Sequence, residues 1–170
     1  MTINDPDDAK VTRCSAVSLR EITSENFRAV LNLKVKPHQQ RFIATNDRSI
    51  AEAHFSNEAW YRAIYADEMP VGFVMLADES LANIPGPRCC FLWRFMIDAR
   101  YQRMGFGRKA MDLLVEHVRS HPCATFFNLT YIPGNIDVEK FFLDYGFRKV
   151  EPGSITGIIV CGEIELAIDL

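Results

Sequence analysis

The chain has 170 residues, a formal net charge of −3 at pH 7 with histidines neutral, 48% hydrophobic residues and 24% charged ones. That is about one domain, of a size that buries roughly 70% of its unfolded surface, and the composition excludes intrinsic disorder. The charge supplies no general field for nucleic acid, no apolar run approaches the ~20 residues needed to span a bilayer, and the opening "MTINDPDDAK" lacks the basic and apolar parts of a signal peptide. A cytoplasmic protein with neither nucleic-acid nor membrane partners is expected.

Residues 1–15 are polar and Asp-rich and read as a flexible N-terminal tail, so the domain is expected over 16–170. "AVSLREIT" alternates as a half-buried strand does, and "TSENFRAVLNLKV" follows with Phe27, Val30 and Leu31 at helical spacing. Pro37 breaks that helix. A second helical region follows, interrupted near Asn46 and Asp47 and restarted by Ser49 as a cap. "AWYRAIYADEMPVGFVMLAD" is a hairpin around "DEMP" with its second strand from Pro70, and "ESLANIPGPR" is a loop outside the sheet.

Residues 89–98, "CCFLWRFMID", are apolar on both alternating faces apart from Arg94, as a central strand covered on both sides should be. Beyond "ARYQRMGFGRK" come a helix with Ala110, Met111, Leu114 and Val118 on one face, a strand over "ATFFNLTYI", a helix over "NIDVEKFFLDY" and a strand over "GFRKV". "ITGIIVCGEIELAIDL" closes the chain as a long antiparallel strand bent at Gly162. The predicted order is βααβββαβαββ.

The five cysteines, Cys14, Cys89, Cys90, Cys123 and Cys161, show no C-x-x-C spacing, so neither a disulfide framework nor a zinc knuckle is indicated, and most are expected to be small buried hydrophobes. His117 and His121 share helical spacing, but Pro122 cuts that helix off, and no metal is expected.

The densest basic cluster is Arg100, Arg103, Arg108 and Lys109, set around Gly105 and Gly107 where a strand runs into a helix. Glycines there let the backbone approach a ligand while unpaired helix N-terminal N–H groups point outward, which makes an anion nest. A dinucleotide fingerprint would need a third glycine and a P-loop would need G-x-x-x-x-G-K-[ST]; neither occurs.

The segment Gln102–Gly107 has the pattern Q/R-x-x-G-x-G/A at the end of a hydrophobic strand, and Asn135 with "FLDYGF" (residues 142–147) repeats an Asn followed by aromatic-x-x-x-G-F. Together these resemble the GNAT superfamily of acyl-CoA N-acyltransferases, over about residues 16–168. "RFMIDARYQRMGFG" with "IYADEMPVGFVML" is similar to the bacterial spermine/spermidine acetyltransferases within it.

The resemblance implies a single α/β (α+β) domain with a mixed, mostly antiparallel central sheet, splayed middle strands and flanking helices. It implies acetyl-CoA as co-substrate and a small-molecule amine, first a polyamine such as spermidine or spermine, as acceptor. Another amine (an aminoglycoside or streptothricin-like antibiotic, an amino acid or a protein N-terminus) is the alternative, and a non-catalytic coenzyme A sensor is the rival of another class. Relatives of this kind are often dimers, and the terminal strand could supply an edge for a homodimer, though the sequence does not set the oligomeric state.

By the same resemblance Gln102, Arg103, Met104, Gly105, Phe106, Gly107 and Arg108 bind the coenzyme A pyrophosphate, with Asn135 and Phe142 from the downstream half. Met96 and Ile97 present backbone groups to the pantetheine and thioester, the Met96 amide being placed to polarise the thioester carbonyl. A protonated alkylamine has a pKa near that of Lys, about 10, so a base or water chain must deprotonate it. Glu52 is the carboxylate chosen, from an acceptor-side set that includes Glu58, Glu68, Asp78 and Glu79; His54 is the one plausible histidine base.

Trp93 stands where a base on the central strand could sit; it is expected to wall the acceptor pocket, with Arg94 beside it. The family's general-acid Tyr position is Phe142 here, which leaves Tyr145 and Tyr131 as substitutes. Trp60, Tyr61, Tyr65 and Phe73 read as sheet packing, with a cation cage as the other reading.

Overall fold

The computed structural model describes residues 11–82, 90–121, 124–155 and 160–170. Seven strands form one sheet: β1 (Val17–Arg20), β2 (Ala59–Ala66), β3 (Met69–Asp78), β4 (Cys90–Ile97), β5 (Phe126–Tyr131), β6 (Arg148–Lys149) and β7 (Ile164–Asp169), in the order β1-β2-β3-β4-β5-β7-β6. Every neighbouring pair is antiparallel except β4–β5. Four α-helices flank it: α1 (Phe27–Leu31), α2 (Asn46–His54), α3 (Phe106–Arg119) and α4 (Ile136–Tyr145).

The sheet is covered on both faces, as the apolar β4 sequence requires. One core joins Leu92 of β4 to Ala110, Met111, Leu114 and Val118 of α3 and Phe142 of α4. The other joins Met96 of β4 to Phe73 and Met75 of β3, Val30 of α1 and Ala53 of α2. Trp60 belongs to the first face and Tyr61, Tyr65 and Phe73 to the second, so the four aromatics are sheet packing and do not converge on a cage.

Two irregularities shape β4. Gly72 of β3 lies so close to Met96 that a Cβ would stand 2.4 Å from the Met96 carbonyl oxygen, which leaves room for glycine alone. Further along, Met75 pairs with Arg94 and Leu76 with Leu92, so Trp93 is an extra residue in a β-bulge. The bulge puts Trp93 on the α1–α2 face, and Arg94 reaches α2 on that face too.

Several element boundaries differ from the sequence reading. Helix α1 has five residues because the chain turns extended beyond it: Lys34 N–H donates to Asp98 Oδ2 at 2.9 Å and Ala99 N–H donates to the Lys34 carbonyl at 2.8 Å. Helix α2 starts at Asn46 with Thr45 as N-cap, and Ser49 sits inside it, its hydroxyl donating to the Thr45 carbonyl at 2.9 Å. A 3-10 turn, Pro37–Phe42, precedes it.

The β2–β3 turn is Asp67–Glu68, with Asp67 at φ 52, so β3 starts at Met69. The terminal strand is shorter than expected: it starts at Ile164, after a turn in which Gly162 has φ 83. Residues 11–15 are bound to the domain, since Lys109 Nζ donates to the carbonyls of Arg13 at 2.9 Å and Ser15 at 3.0 Å; residues 1–10 of the expected tail lie outside the described residues. Most of the loop 79–88, with Cys89 and Cys123, also lies outside them. Of the other cysteines Cys90 is buried, whereas Cys14 and Cys161 are exposed and are not core residues.

Candidate active site

Among the described residues parallel strands β4 and β5 pair at Cys90–Phe127 and Phe91–Asn128, and beyond Phe91 they diverge. A cleft of about 720 Å³ opens between them, lined by β4 from Phe91 to Ile97 and by Leu129 to Ile132 at the end of β5. The loop into α3 and helix α4, which follow the C-terminal ends of the two strands, complete its lining.

The α3 end is built for an anion. Arg103 at φ 66 and Gly105 at φ 90 are left-handed residues spaced through the turn, which aims successive N–H groups into one concavity. Gly105 is the N-cap and has no side chain to cap with. Lys109 N–H makes the first helical bond, to the Gly105 carbonyl at 3.2 Å, so the N–H groups of Phe106, Gly107 and Arg108 have no helical partner. The 14-residue α3 adds its N-terminal partial positive charge.

The basic cluster divides by role. Arg103 and Arg108 line the cleft; Arg103 pairs with Asp137 of α4 at 3.1 Å, and Arg108 lies over the Tyr145 ring at 5.3 Å. Lys109 holds residues 13–15, and Arg100 clasps Asp98 at 2.8 Å. Gln102 is turned inward, its Nε2 donating to the Ile97 carbonyl at 2.9 Å and to Gln39 Oε1 at 2.8 Å, which ties the loop to the 3-10 turn. Met104 packs against the α3–α4 core, and Phe106 is buried in it; neither lines the cleft.

Asp98 is the organiser that sequence reasoning missed. Burial works to raise its pKa, but the Arg100 side chain and the backbone N–H groups of Lys34 and Arg100 outweigh that and hold the carboxyl below its ordinary value. The signal available was a lone Asp at the end of an apolar strand.

On β4 the backbone directions correct one expectation. Asp98 N–H donates to the Val71 carbonyl of β3 at 2.8 Å, and the Met96 carbonyl abuts Gly72. Backbone groups alternate along a strand, so Met96 points its amide toward β3, and Phe95 and Ile97 point theirs into the cleft. The Ile97 carbonyl is taken by Gln102.

Trp93 and Arg94 both line the cleft. The Arg94 guanidinium donates to the Trp93 carbonyl and to Glu52 Oε2, each at 2.9 Å, and its buried Nε has no hydrogen-bond partner among the described residues. Burial pulls its pKa below the ordinary guanidinium value, against the opposing charge of Glu52. Glu52 itself does not line the cleft: one oxygen is held by Arg94 and the other by Arg48 at 2.9 Å. Glu58, Glu68, Asp78, Glu79 and His54 are also absent from the lining. Glu163, just before β7, does line it, a carboxylate that sequence reasoning left inside the terminal strand.

The two tyrosines separate cleanly. Tyr145 lies outside the cleft, its hydroxyl donating to Asp112 Oδ1 at 2.9 Å; burial first, and Asp112 second, push its pKa up to about 12. Tyr131 lines the cleft, is 5% exposed, and its buried hydroxyl has no hydrogen-bond partner among the described residues. Burial pushes its phenol above the ordinary value, with nearby Glu139, itself paired to Lys149 at 2.6 Å, acting the same way. Phe142 lines the cleft within a ring cluster with Phe95, Phe141 and Phe147. Asn135 caps α4, its Oδ1 accepting from Val138 N–H at 3.4 Å, and it too lines the cleft.

The model of the acetyltransferase (GNAT) family matches residues 16–147. The chain belongs to the GNAT acetyltransferase family. It is 26% identical over 139 residues to the spermine/spermidine N(1)-acetyltransferase of Bacillus subtilis strain 168, covering 78% of this chain and 88% of that protein. Its fold is similar to a GNAT-family acetyltransferase from Staphylococcus aureus Mu50 (TM-score 0.68, 13% identity, 91% of this chain and 99% of that one). It is also similar to the PaiA N-acetyltransferase of Thermoplasma acidophilum, solved in complex with coenzyme A (TM-score 0.65, 11% identity, 91% and 99%). This GNAT protein is therefore an acetyl-CoA-dependent N-acetyltransferase. No helix among its described residues is long and apolar enough to cross a membrane.

Proposed function

We propose that this GNAT enzyme acetylates the primary amine of a small polyamine, with spermidine and spermine first. The observation that carries the transfer chemistry is the cleft between β4 and β5, which joins an uncapped helix N-terminus to a strand edge with unpaired backbone groups. The polyamine class is supported by the Bacillus subtilis relative and by Glu163, a carboxylate that lines the cleft together with Asp137 and Asp144.

Acetyl-CoA supplies the acyl group as a thioester. The N–H groups of Phe106, Gly107 and Arg108, with the loop from Arg103 through Gly105, hold its diphosphate, and Arg103 exchanges Asp137 for a phosphate oxygen. Asn135 and Phe142 border the pantetheine arm. The Phe95 N–H, facing the cleft, donates to the thioester oxygen as negative charge develops there. On the α1–α2 face Trp93 walls the acceptor, and Glu163 draws its ammonium and receives the proton, directly or through one water. Glu52 positions Arg94. Tyr131 offers its hydroxyl proton to the departing thiolate, which leaves as the thiol.

Arg94 favours a second reading, an acceptor with its own carboxylate such as an amino acid or peptide. Free-thiol release from acetyl-CoA, measured over spermidine, spermine, putrescine, an aminoglycoside and short peptides with a no-acceptor control, separates the two. Turnover with spermidine or spermine is expected; turnover confined to carboxylate-bearing amines overturns the polyamine assignment and leaves the transferase intact.

A further inference from the structure

Far from the cleft, at the end where β4 and β5 do pair, three side chains of different chemistry meet. Asp78 and Cys90 are direct partners in the β3–β4 ladder, and each is 1% exposed. His121 lies just past the end of α3 and turns back over them, its Nε2 3.0 Å from Asp78 Oδ2. The three ligand atoms, a carboxylate oxygen, a thiol sulfur and an imidazole nitrogen, all lie within 4.8 Å of one another. None of the three lines the cleft.

We infer that Asp78, Cys90 and His121 form a zinc site that ties β3, β4 and the end of α3 together. The imidazole is preset for it. Among the described residues His121 Nδ1 faces backbone carbonyl oxygens, of His117 at 3.0 Å and Val118 at 3.2 Å, and a carbonyl can only accept, so Nδ1 carries the proton. Fixing that tautomer with a backbone carbonyl is how metal-ligating histidines are commonly held. Nε2 then meets the Asp78 carboxylate with either a second proton or a cation between them.

Charge selects the cation. A thiolate and a carboxylate together carry two negative charges, which a divalent ion cancels, and a neutral set is what a buried position tolerates. One sulfur and one imidazole nitrogen exclude magnesium and calcium, which take oxygen ligands, and suit zinc. Tetrahedral zinc holds its ligand atoms roughly 3.3–3.8 Å apart, so no pair of the trio closes by more than about 1.5 Å, and water takes the fourth position. Binding displaces the Cys90 thiol proton and, if Nε2 is protonated, that proton too.

The test uses the full chain and cobalt(II), then zinc(II), as probes. One equivalent of cobalt should bind with a near-ultraviolet thiolate charge-transfer band that one equivalent of zinc removes. Cys90→Ser should abolish the band, and Asp78→Asn or His121→Gln should weaken zinc at least 100-fold, while the Cys14→Ser/Cys161→Ser double variant keeps the wild-type titration. A band that survives Cys90→Ser, or zinc no tighter than about 0.1 mM in the wild type, leaves an ordinary histidine–aspartate pair and overturns the site. Should Cys90→Ser fail to fold, X-ray absorption of the zinc-loaded wild type decides: one sulfur among nitrogen and oxygen ligands supports the site, and any other shell overturns it.

Discussion

The two ends of the β4–β5 pair make opposite use of the same strands. At Cys90 and Phe91 the strands are hydrogen-bonded, Asp78 pairs with His121 and Asn128 Nδ2 donates to Glu165, while Asn128 Oδ1 and His117 Nε2 are buried without a hydrogen-bond partner among the described residues. From Leu92 onward the strands part, and among the described residues the N–H groups starting α3, the Tyr131 hydroxyl and Arg94 Nε have no hydrogen-bond partner there. Unsatisfied buried side-chain atoms occur at both ends, so what marks the ligand end is the parted strand edges and the uncapped α3 N-terminus, whose backbone groups a ligand can complete.

The sharpest way to break this contrast is to disturb what holds β4 in place. Gly72→Val puts a side chain 2.4 Å from the Met96 carbonyl, against backbone that cannot move aside. A loss of about 3 kcal/mol is expected by urea unfolding, from overpacking at a strand contact. A Gly72→Val variant as stable as wild type would mean that β4 is not pinned there.

Tyr131→Phe tests the open end directly. Loss of a proton donor should lower kcat about 100-fold, roughly 2.7 kcal/mol of transition-state stabilisation, with little change in the KM for acetyl-CoA. Glu139 and Lys149 lie near the hydroxyl, but among the described residues neither reaches hydrogen-bond geometry with it, so removing it should change stability by less than about 1 kcal/mol. Lost stability with retained kcat would place Tyr131 among the packing residues instead.

Asp98 sharpens the comparison through pH. Its folded pKa lies below the unfolded carboxylate value of about 3.9, so its contribution is fully present above that value and is lost as pH falls through the folded pKa. Wild type should exceed Asp98→Asn by about 2 kcal/mol near pH 6, in line with charge-assisted hydrogen bonds, and the gap should close below about pH 4. Denaturant midpoints across that range check both the size and the sign.

The smallest effect belongs to Tyr145→Phe, which removes the hydrogen bond to Asp112 outside the cleft. About 1 kcal/mol or less of stability and an unchanged kcat are expected. A kcat drop comparable to that of Tyr131→Phe would move the acid back to α4.

Sequence alone carried the fold class, the strand and helix order and the place of the anion nest, because each rests on local patterns. Alternation marked β4, a helical stripe marked α3, and glycine spacing marked the turn between them. Gly146 ends α4 at φ 127, as a helix-terminating glycine should. What the sequence could not carry were contacts between residues far apart. Nothing local tells that Glu52 spends both oxygens on arginines, 42 residues from Arg94 in one case. Nor does local pattern show that Trp93 is a bulge residue, since a bulge exists only relative to the partner strand.

Tyr131 and Tyr145 were equal candidates by composition, and only tertiary packing separated an unsatisfied hydroxyl in the cleft from one already bonded to Asp112. His117 and His121 read as an interrupted pair along one helix, whereas the folded chain sets His121 against Asp78 and Cys90 from two other elements. Secondary structure follows from near neighbours along the chain. The direction of a backbone amide, the partner of a charge and the company of a histidine are set by long-range contacts, which exist only once the sheet has formed.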